Sequence, residues 1–149
     1  MGTVVRFEVG MEVPPVSKTL AQAQINLFEA SGAHAGPSIF TDPETAQKTL
    51  GMGRTVASGR MTLSFAVETL RRFFGESIYN HTGTADLRFI RPTRAGDTVT
   101  VRGTVARITP EANGSRIGVE LTVQNQNGET TAVGGGSAIV PAGLLPPAE

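Results

Sequence analysis

One long segment limits what this chain can fold into more than any other feature. Residues Arg60–Phe74 place apolar side chains around most of a helical circumference. A helix with so wide an apolar surface lies inside a domain rather than on its outside. We expect Ser58 to cap its N-terminus. The apolar positions of the segment are Met61, Leu63, Phe65, Ala66, Val67, Leu70, Phe73 and Phe74.

After this helix the apolar period changes to that of β-strands. Short turns rich in Gly, Pro and Asn separate the strands, which favours an antiparallel meander of four consecutive neighbours. A sheet of this kind curled around one central helix is an α+β architecture, the hot-dog fold. The four predicted strands are Thr84–Arg91, Thr98–Thr109, Ser115–Asn125 and Thr130–Val140.

The first part of the chain is less regular. A break at Pro14 and Pro15 precedes a short predicted strand, Val16–Leu20. Residues Ala21–Ala30 then form a predicted helix that stops at a Ser-Gly pair. Its apolar side is formed by Ile25, Leu27 and Phe28.

Two loops and a second short helix complete the prediction. Residues 33–41 are rich in Gly, Pro and Ser and are typical of a loop. Asp42 as N-cap and Pro43 in the first turn predict a helix that ends at Gly51–Gly53. His81 falls in a second predicted loop, before the strand that begins at Thr84.

Composition excludes several kinds of protein. The length of 149 residues predicts one domain over residues 1–149. The formal charge is zero, with 13 basic and 13 acidic residues, which argues against a nucleic-acid partner. Because the chain has no Cys, it forms no disulfide and no thiolate metal site. We expect no metal and no cofactor, no membrane partner since no apolar run has the required length, and a cytoplasmic location.

Several segments, in their order and spacing, resemble the MaoC-like (R)-specific enoyl-CoA hydratases and dehydratases. The most specific is Arg88-Phe89-Ile90-Arg91-Pro92, followed by Gly96-Asp97. The resemblance implies a hot-dog domain that binds a CoA or carrier-protein acyl thioester and adds or removes water beside its carbonyl. The other matching segments are Phe7–Gly10, Pro14-Pro15, Leu27–Gly32, Thr41–Glu44, Val56–Gly59, Met61-Thr62, Asn125–Glu129 and Val140-Pro141.

The loop that carries catalysis in this family is altered here. The resemblance implies an Asp and, five residues later, a His that activate the water. The Asp position holds Ala33 or Ala35, and the His position holds Phe40 or Ile39. Neither Ala nor Phe exchanges protons. His34 is the only ionisable side chain left in the loop, and its ordinary pKa of about 6.5 suits acid/base work.

We therefore expect His34 to be a relocated catalytic residue, with Phe40 and Ile39 beside the substrate. The alternative is an exposed or capping His34. Asp42 and Glu44 are candidate partners for His34, although Asp42 is more simply explained as the helix cap.

The start of the long helix is the other candidate. The resemblance implies that the amide of Gly59 holds the thioester oxygen, and an amide at a helix N-terminus has no intrahelical acceptor. The alternative is a glycine required by close packing. Ser58 and Arg60 flank it as candidate substrate contacts, and a surface Arg60 is the alternative. Arg88 is a candidate contact to the CoA phosphates or a dimer partner, the alternative being a solvated strand edge.

Three hypotheses follow. The leading one is an acyl-thioester hydratase or dehydratase that uses Gly59 and His34. The second is a non-catalytic subunit that binds the acyl chain beside an active relative. The third and weakest is a hot-dog thioesterase that uses Glu68, which lies about one position, or 100° of helix rotation, away from the expected place. In each case we expect a homodimer, or a heterodimer with a related hot-dog chain, because an edge strand needs covering.

Overall fold

The computed structural model describes residues 7–32 and 36–144, which form a five-stranded sheet, a two-stranded sheet and four α-helices. A single 3₁₀ turn, Ala142–Leu144, ends the described part. The elements are β1 (Glu12–Thr19), α1 (Gln22–Ser31), α2 (Pro43–Leu50), β2 (Val56–Ala57), α3 (Gly59–Phe74), α4 (Glu76–Thr82), β3 (Thr84–Phe89), β4 (Thr93–Arg94), β5 (Thr98–Glu111), β6 (Gly114–Gln124) and β7 (Thr130–Pro141).

The large sheet is antiparallel, with the order β1-β5-β6-β7-β3. The predicted α+β hot-dog architecture is confirmed, but the four-strand meander is wrong. Strand β3 pairs with β7, from Thr84 opposite Ser137 to Phe89 opposite Ala132, and not with β5. After β3 the chain pairs β4 with β2 in a separate small ladder. This detour takes β5 to the other side of the sheet, where it pairs with β1.

Strand β1 begins earlier than predicted and contains the two prolines. The register shifts between Val13 and Val16, which places Pro14 and Pro15 at a bulge. Because β1 is an edge strand and proline lacks an N–H, a bulge at an edge is where a sheet tolerates this residue.

Helix α3 lies against the sheet, as its wide apolar surface predicts. It contacts β1, β3, β5 and β7, and its side chains join one core cluster with those strands. Leu70 is fully buried, and a Cβ at Gly136 of β7 would collide with its Cδ1 atom. The glycine therefore lets the helix approach the sheet. The buried residues of α3 are Met61, Thr62, Ala66, Thr69, Leu70 and Phe74.

Helix α4 stands where the sequence predicted a loop. Its Tyr79 is buried, and the Tyr79 ring stacks on Phe74 with 6.3 Å between centroids. The Tyr79 hydroxyl donates to the carbonyl of Thr84 at 3.2 Å. Burial raises the pKa of Tyr79 above its usual value. Tertiary packing of one aromatic side chain thus stabilises a helix that has no apolar period and no side-chain cap.

Helices α1 and α2 match the predicted segments to within one or two residues. The predicted apolar side of α1 is partly wrong: Ile25 is fully buried, but Leu27 is 73% exposed. Glu29, four residues after Ile25, is buried instead, with 1% exposure. None of the helices in residues 7–32 and 36–144 is long and apolar enough to cross a membrane.

Replacing Leu70 with Ala is expected to lower the free energy of unfolding by about 2–5 kcal/mol, because it leaves a cavity between α3 and β7. Urea unfolding followed by circular dichroism measures this change. The matched control is Leu27→Ala, which removes the same atoms from an exposed position and is expected to change stability by less than about 0.5 kcal/mol. Equal losses in both variants would contradict the central position of α3.

Candidate active site

The N-terminal end of α3 offers two backbone amides. The carbonyl of Ser58 accepts hydrogen bonds from the amides of Met61 (3.1 Å) and Thr62 (3.4 Å). Within the described residues, the amides of Gly59 and Arg60 have no acceptor. The helix dipole adds positive potential at this end. The arrangement is therefore suited to bind an oxygen that gains negative charge.

Gly59 also packs closely against an aromatic ring of the sheet edge. A Cβ at Gly59 would lie 2.8 Å from Cε2 and 2.9 Å from Cζ of Phe89. The close-packing alternative for this glycine is thus present in the structure, and it does not consume the amide. Gly59 lines an open groove of about 350 Å³. The other lining residues are Ala57, Thr62, Phe89, Ile90, Arg91, Pro92 and Thr93.

Ser58 does not cap the helix as predicted. It has the extended backbone of an N-cap residue, but its side chain accepts no hydrogen bond from the first turn. The residue is 6% exposed, and its Oγ atom has no partner in the described part of the chain. A buried hydroxyl of this kind is available to a ligand or to water.

Arg60 points back towards the end of α1. Its Nη2 atom lies 3.3 Å from Oε2 of Glu29, while its side chain remains 53% exposed. Its Nη1 atom lies 3.3 Å from the position that a Cβ would take at Gly32. Arg60 is therefore neither a plain surface residue nor a free anion site, because one buried carboxylate already balances its charge.

Glu29 is the residue that the sequence reasoning missed. A charged residue in an amphipathic helix is usually assigned to the solvent side. Its spacing of four residues from Ile25, however, places both on one helical face, and that spacing was the available signal.

Backbone hydrogen bonds fix the segment that contains Ile39 and Phe40. The carbonyl of Ile39 accepts from the amide of Val56 at 3.2 Å. The carbonyl of Phe40 accepts from the side-chain amide of Gln22 at 2.9 Å, and the Gln22 carbonyl oxygen accepts from the Thr55 hydroxyl at 2.5 Å. Both predicted side chains are half-buried, and Phe40 packs against the core cluster.

Two predicted residues are not brought to this site by the described structure. His34 lies outside the described residues, so its catalytic role stays a prediction. Arg88 is exposed on the edge strand β3, opposite Val133. A contact of Arg88 with a CoA phosphate or with a dimer partner stays a prediction.

Two other carboxylates, those of Asp42 and Glu68, have structural partners. The Asp42 carboxylate accepts hydrogen bonds from the Thr45 hydroxyl (2.6 Å) and the Thr45 amide (3.2 Å). The hydroxyl bond holds the pKa of Asp42 below its usual value, so the cap is charged at neutral pH and weakens only as the pH falls through that lowered pKa. Glu68 pairs with Lys18 at 3.0 Å and Arg72 at 3.5 Å, which engages the carboxylate that a thioesterase would need.

Metal ligands do not cluster in the part of the chain that the structure describes: no group of three or more His, Asp or Glu side chains is close enough to hold an ion.

The family model described as "MaoC like domain" matches residues 5–129. The chain belongs to this family. The resemblance inferred from the sequence motifs is therefore confirmed. No curated protein sequence matches the chain.

Solved structures of similar fold span nearly the whole chain. A MaoC-like dehydratase from Rhodospirillum rubrum is 24% identical, with a TM-score of 0.74 over 91% of this chain and 93% of that one. The (R)-hydratase from A. caviae involved in PHA biosynthesis is 22% identical, with a TM-score of 0.70 over 91% and 98%. The HadBC (3R-hydroxyacyl-ACP dehydratase) complex from Mycobacterium tuberculosis is 19% identical, with a TM-score of 0.68 over 91% and 100%. At these identities the likeness establishes the fold.

Gly59→Ala is expected to lower the free energy of unfolding by about 1–3 kcal/mol, because the new methyl group overlaps the Phe89 ring. Combining it with Phe89→Ala removes the overlap and should recover part of the loss, a coupling that a double-mutant cycle of urea unfolding measures. The control is Gly53→Ala, where the nearest atom stands 3.5 Å from the added Cβ, an ordinary contact. Strictly additive effects of the Gly59 and Phe89 changes would contradict the contact.

Proposed function

We propose that this protein is an acyl-thioester hydratase or dehydratase that holds the thioester oxygen at the amide of Gly59. The observation that carries the proposal is the pair of unpaired amides at the start of the buried helix α3, beside an open groove. Membership of the MaoC-like family and the names of the similar hydratase and dehydratase structures support it.

In the hydration direction, water adds to C3 of a 2-enoyl thioester. As the new C–O bond forms, the C2=C3 electron pair becomes a C1=C2 bond and the carbonyl π pair moves onto the thioester oxygen. The water loses one proton, which passes to solvent. The amide of Gly59 donates to that oxygen, and one such donor is typically worth about 2.7–4 kcal/mol of transition-state stabilisation. The enolate then takes a proton at C2, and His34 is the proposed acid for this step. Dehydration is the reverse sequence.

The other predicted residues have places in this scheme. Ser58 and Arg60 flank the oxygen site, Ile39 and Phe40 contact the acyl group, and Arg88 contacts a phosphate of the CoA or carrier-protein arm. We expect the enzyme to act as a cytoplasmic dimer of hot-dog domains.

A second candidate is a non-catalytic subunit that binds the acyl chain beside an active relative. Its support is the replacement of the family's Asp and His by residues that exchange no protons. The exposed side chains of Phe89 (49%) and Ile90 (51%) at the β3 edge also favour a covering partner. HadBC, whose fold this chain shares, is itself a complex.

Purified protein is expected to hydrate 2-enoyl-CoA substrates or dehydrate 3-hydroxyacyl-CoA substrates, measured by the absorbance of the conjugated thioester. His34→Ala is expected to lower kcat by about 10²- to 10⁴-fold, the usual contribution of a general acid. The control is His81→Ala, which changes an exposed residue of α4. An unchanged rate in His34→Ala would remove His34 from the mechanism.

Co-purification separates the two candidates. If light scattering shows a homodimer and that homodimer is fully active, the result supports the enzyme hypothesis and contradicts the subunit hypothesis. An inactive chain that becomes part of an active complex with a second MaoC-like protein supports the subunit.

A further inference from the structure

Among the described residues, two buried polar atoms, one in the last turn of α1 and one just before α3, have no hydrogen-bond partner: Oε1 of Glu29 and Oγ of Ser58. Two other buried side-chain atoms also lack a hydrogen bond there, Nε of Arg94 and Oε2 of Glu68, but the Glu68 oxygen lies 3.0 Å from the Lys18 ammonium and is paired by charge. Glu29 is 1% exposed and Ser58 is 6% exposed. Leaving a carboxylate oxygen buried and unpaired costs stability, and such groups concentrate at functional sites.

The Glu29 carboxylate is linked to the first turn of α3, which carries the proposed oxygen site, through Arg60. It belongs to the last turn of α1, and its Oε2 atom accepts from Arg60 at 3.3 Å. Arg60 is the residue next to Gly59. The Arg60 guanidinium also lies near Gly32, with Nη1 3.3 Å from the position that a Cβ would take there. Gly32 directly precedes residue 33, the first of the two positions that align with the family's catalytic Asp. The chain has thus lost one carboxylate from the loop and buries another within one helical turn of it.

Gln22, the other polar side chain on the buried side of α1, has the contacts expected of a residue with a structural role. Gln22 uses both atoms of its amide, one on the Phe40 carbonyl and one on the Thr55 hydroxyl. Glu29 uses one oxygen only. A neutral residue would fill the same space without the cost of burying a charge. Its single contact, with Arg60, leaves the second oxygen available.

We propose that Glu29 and Ser58 bind the reacting water, and that Glu29 takes its proton. This inference rests on the proposed function. The O–H bond of the water breaks and its proton moves to Oε1 of Glu29, as the C3–O bond forms and the displaced electron pair reaches the thioester oxygen at Gly59. His34, the proposed acid, gives a proton to C2 and regains one from solvent, and Glu29 returns its proton to solvent, so that one water is added. In dehydration, protonated Glu29 delivers the proton to the departing 3-hydroxyl group.

The test is Glu29→Gln in the full-length protein, because Gln keeps the shape and cannot accept a proton. We expect kcat to fall at least about 100-fold with KM changed less than about threefold, and the acidic limb of the pH–rate profile to disappear. Ser58→Ala is expected to lower kcat about tenfold while leaving that limb in place. The matched control is Glu68→Gln, which removes a carboxylate that pairs with Lys18 and Arg72 and is expected to leave the rate unchanged.

Arg60→Met separates proton transfer from mere positioning. If Glu29 is the base, Arg60→Met keeps measurable turnover and an acidic limb, because the carboxylate is still present, whereas Glu29→Gln loses that limb. If Glu29 only holds Arg60 in place, Arg60→Met and Glu29→Gln lose the same activity with the wild-type pH profile, and the proposal is overturned. Circular dichroism and the melting temperature check that each variant folds, and Glu29→Asp, which retains a carboxylate, should regain part of the rate if Glu29→Gln is unstable.

The outcomes distinguish this proposal from the proposed function. Wild-type turnover together with more than a tenth of that rate in Glu29→Gln overturns the role of Glu29 and leaves the hydratase intact. No wild-type turnover, alone or with a related chain, overturns both.

Discussion

The packing of α3 against the sheet is the interaction on which the rest of the structure depends. Leu70 meets the bare backbone of Gly136, so the helix axis approaches the sheet more closely than a side chain on β7 would permit. At the other end, the Phe89 ring lies against Gly59. Two glycines, one on the sheet and one on the helix, therefore fix where α3 begins and where its free amides stand. The proposed oxygen site is thus positioned by packing, because backbone amides of α3 and not side chains form it.

The start of α3 is also where distant parts of the chain come together. Arg60 links it to Glu29 of α1, and the Val56 amide links the preceding strand to Ile39 in the altered loop. The candidate site therefore combines a helix end with a loop in which Ala and Phe or Ile are predicted to stand at the family's catalytic positions. Under the proposed mechanism, the buried Glu29 carboxylate supplies the chemistry of the carboxylate that the loop is predicted to have lost.

Local signals in the sequence predicted the elements better than their arrangement. The α3 segment and the Asp42–Pro43 start of α2 carry apolar periods and caps that local physics determines. The pairing of β3 with β7 was missed, because an alternating segment does not specify its neighbour across more than forty residues. The α4 helix was missed because the packing of Tyr79 stabilises it and no periodic pattern does. In the candidate site, Gly59 was predicted from the family resemblance and from its place at a helix start, whereas the burial of Glu29 was missed because a charged residue of an amphipathic helix is usually assigned to the solvent side.

The most direct test of the account is a crystal structure of the protein with a bound, unreactive acyl-CoA analogue. The account predicts that the thioester oxygen lies about 3 Å from the amide nitrogen of Gly59, within hydrogen-bonding distance. It would be contradicted by a thioester bound elsewhere on the fold, or by an oxygen out of reach of that amide while a side chain or another backbone group holds it.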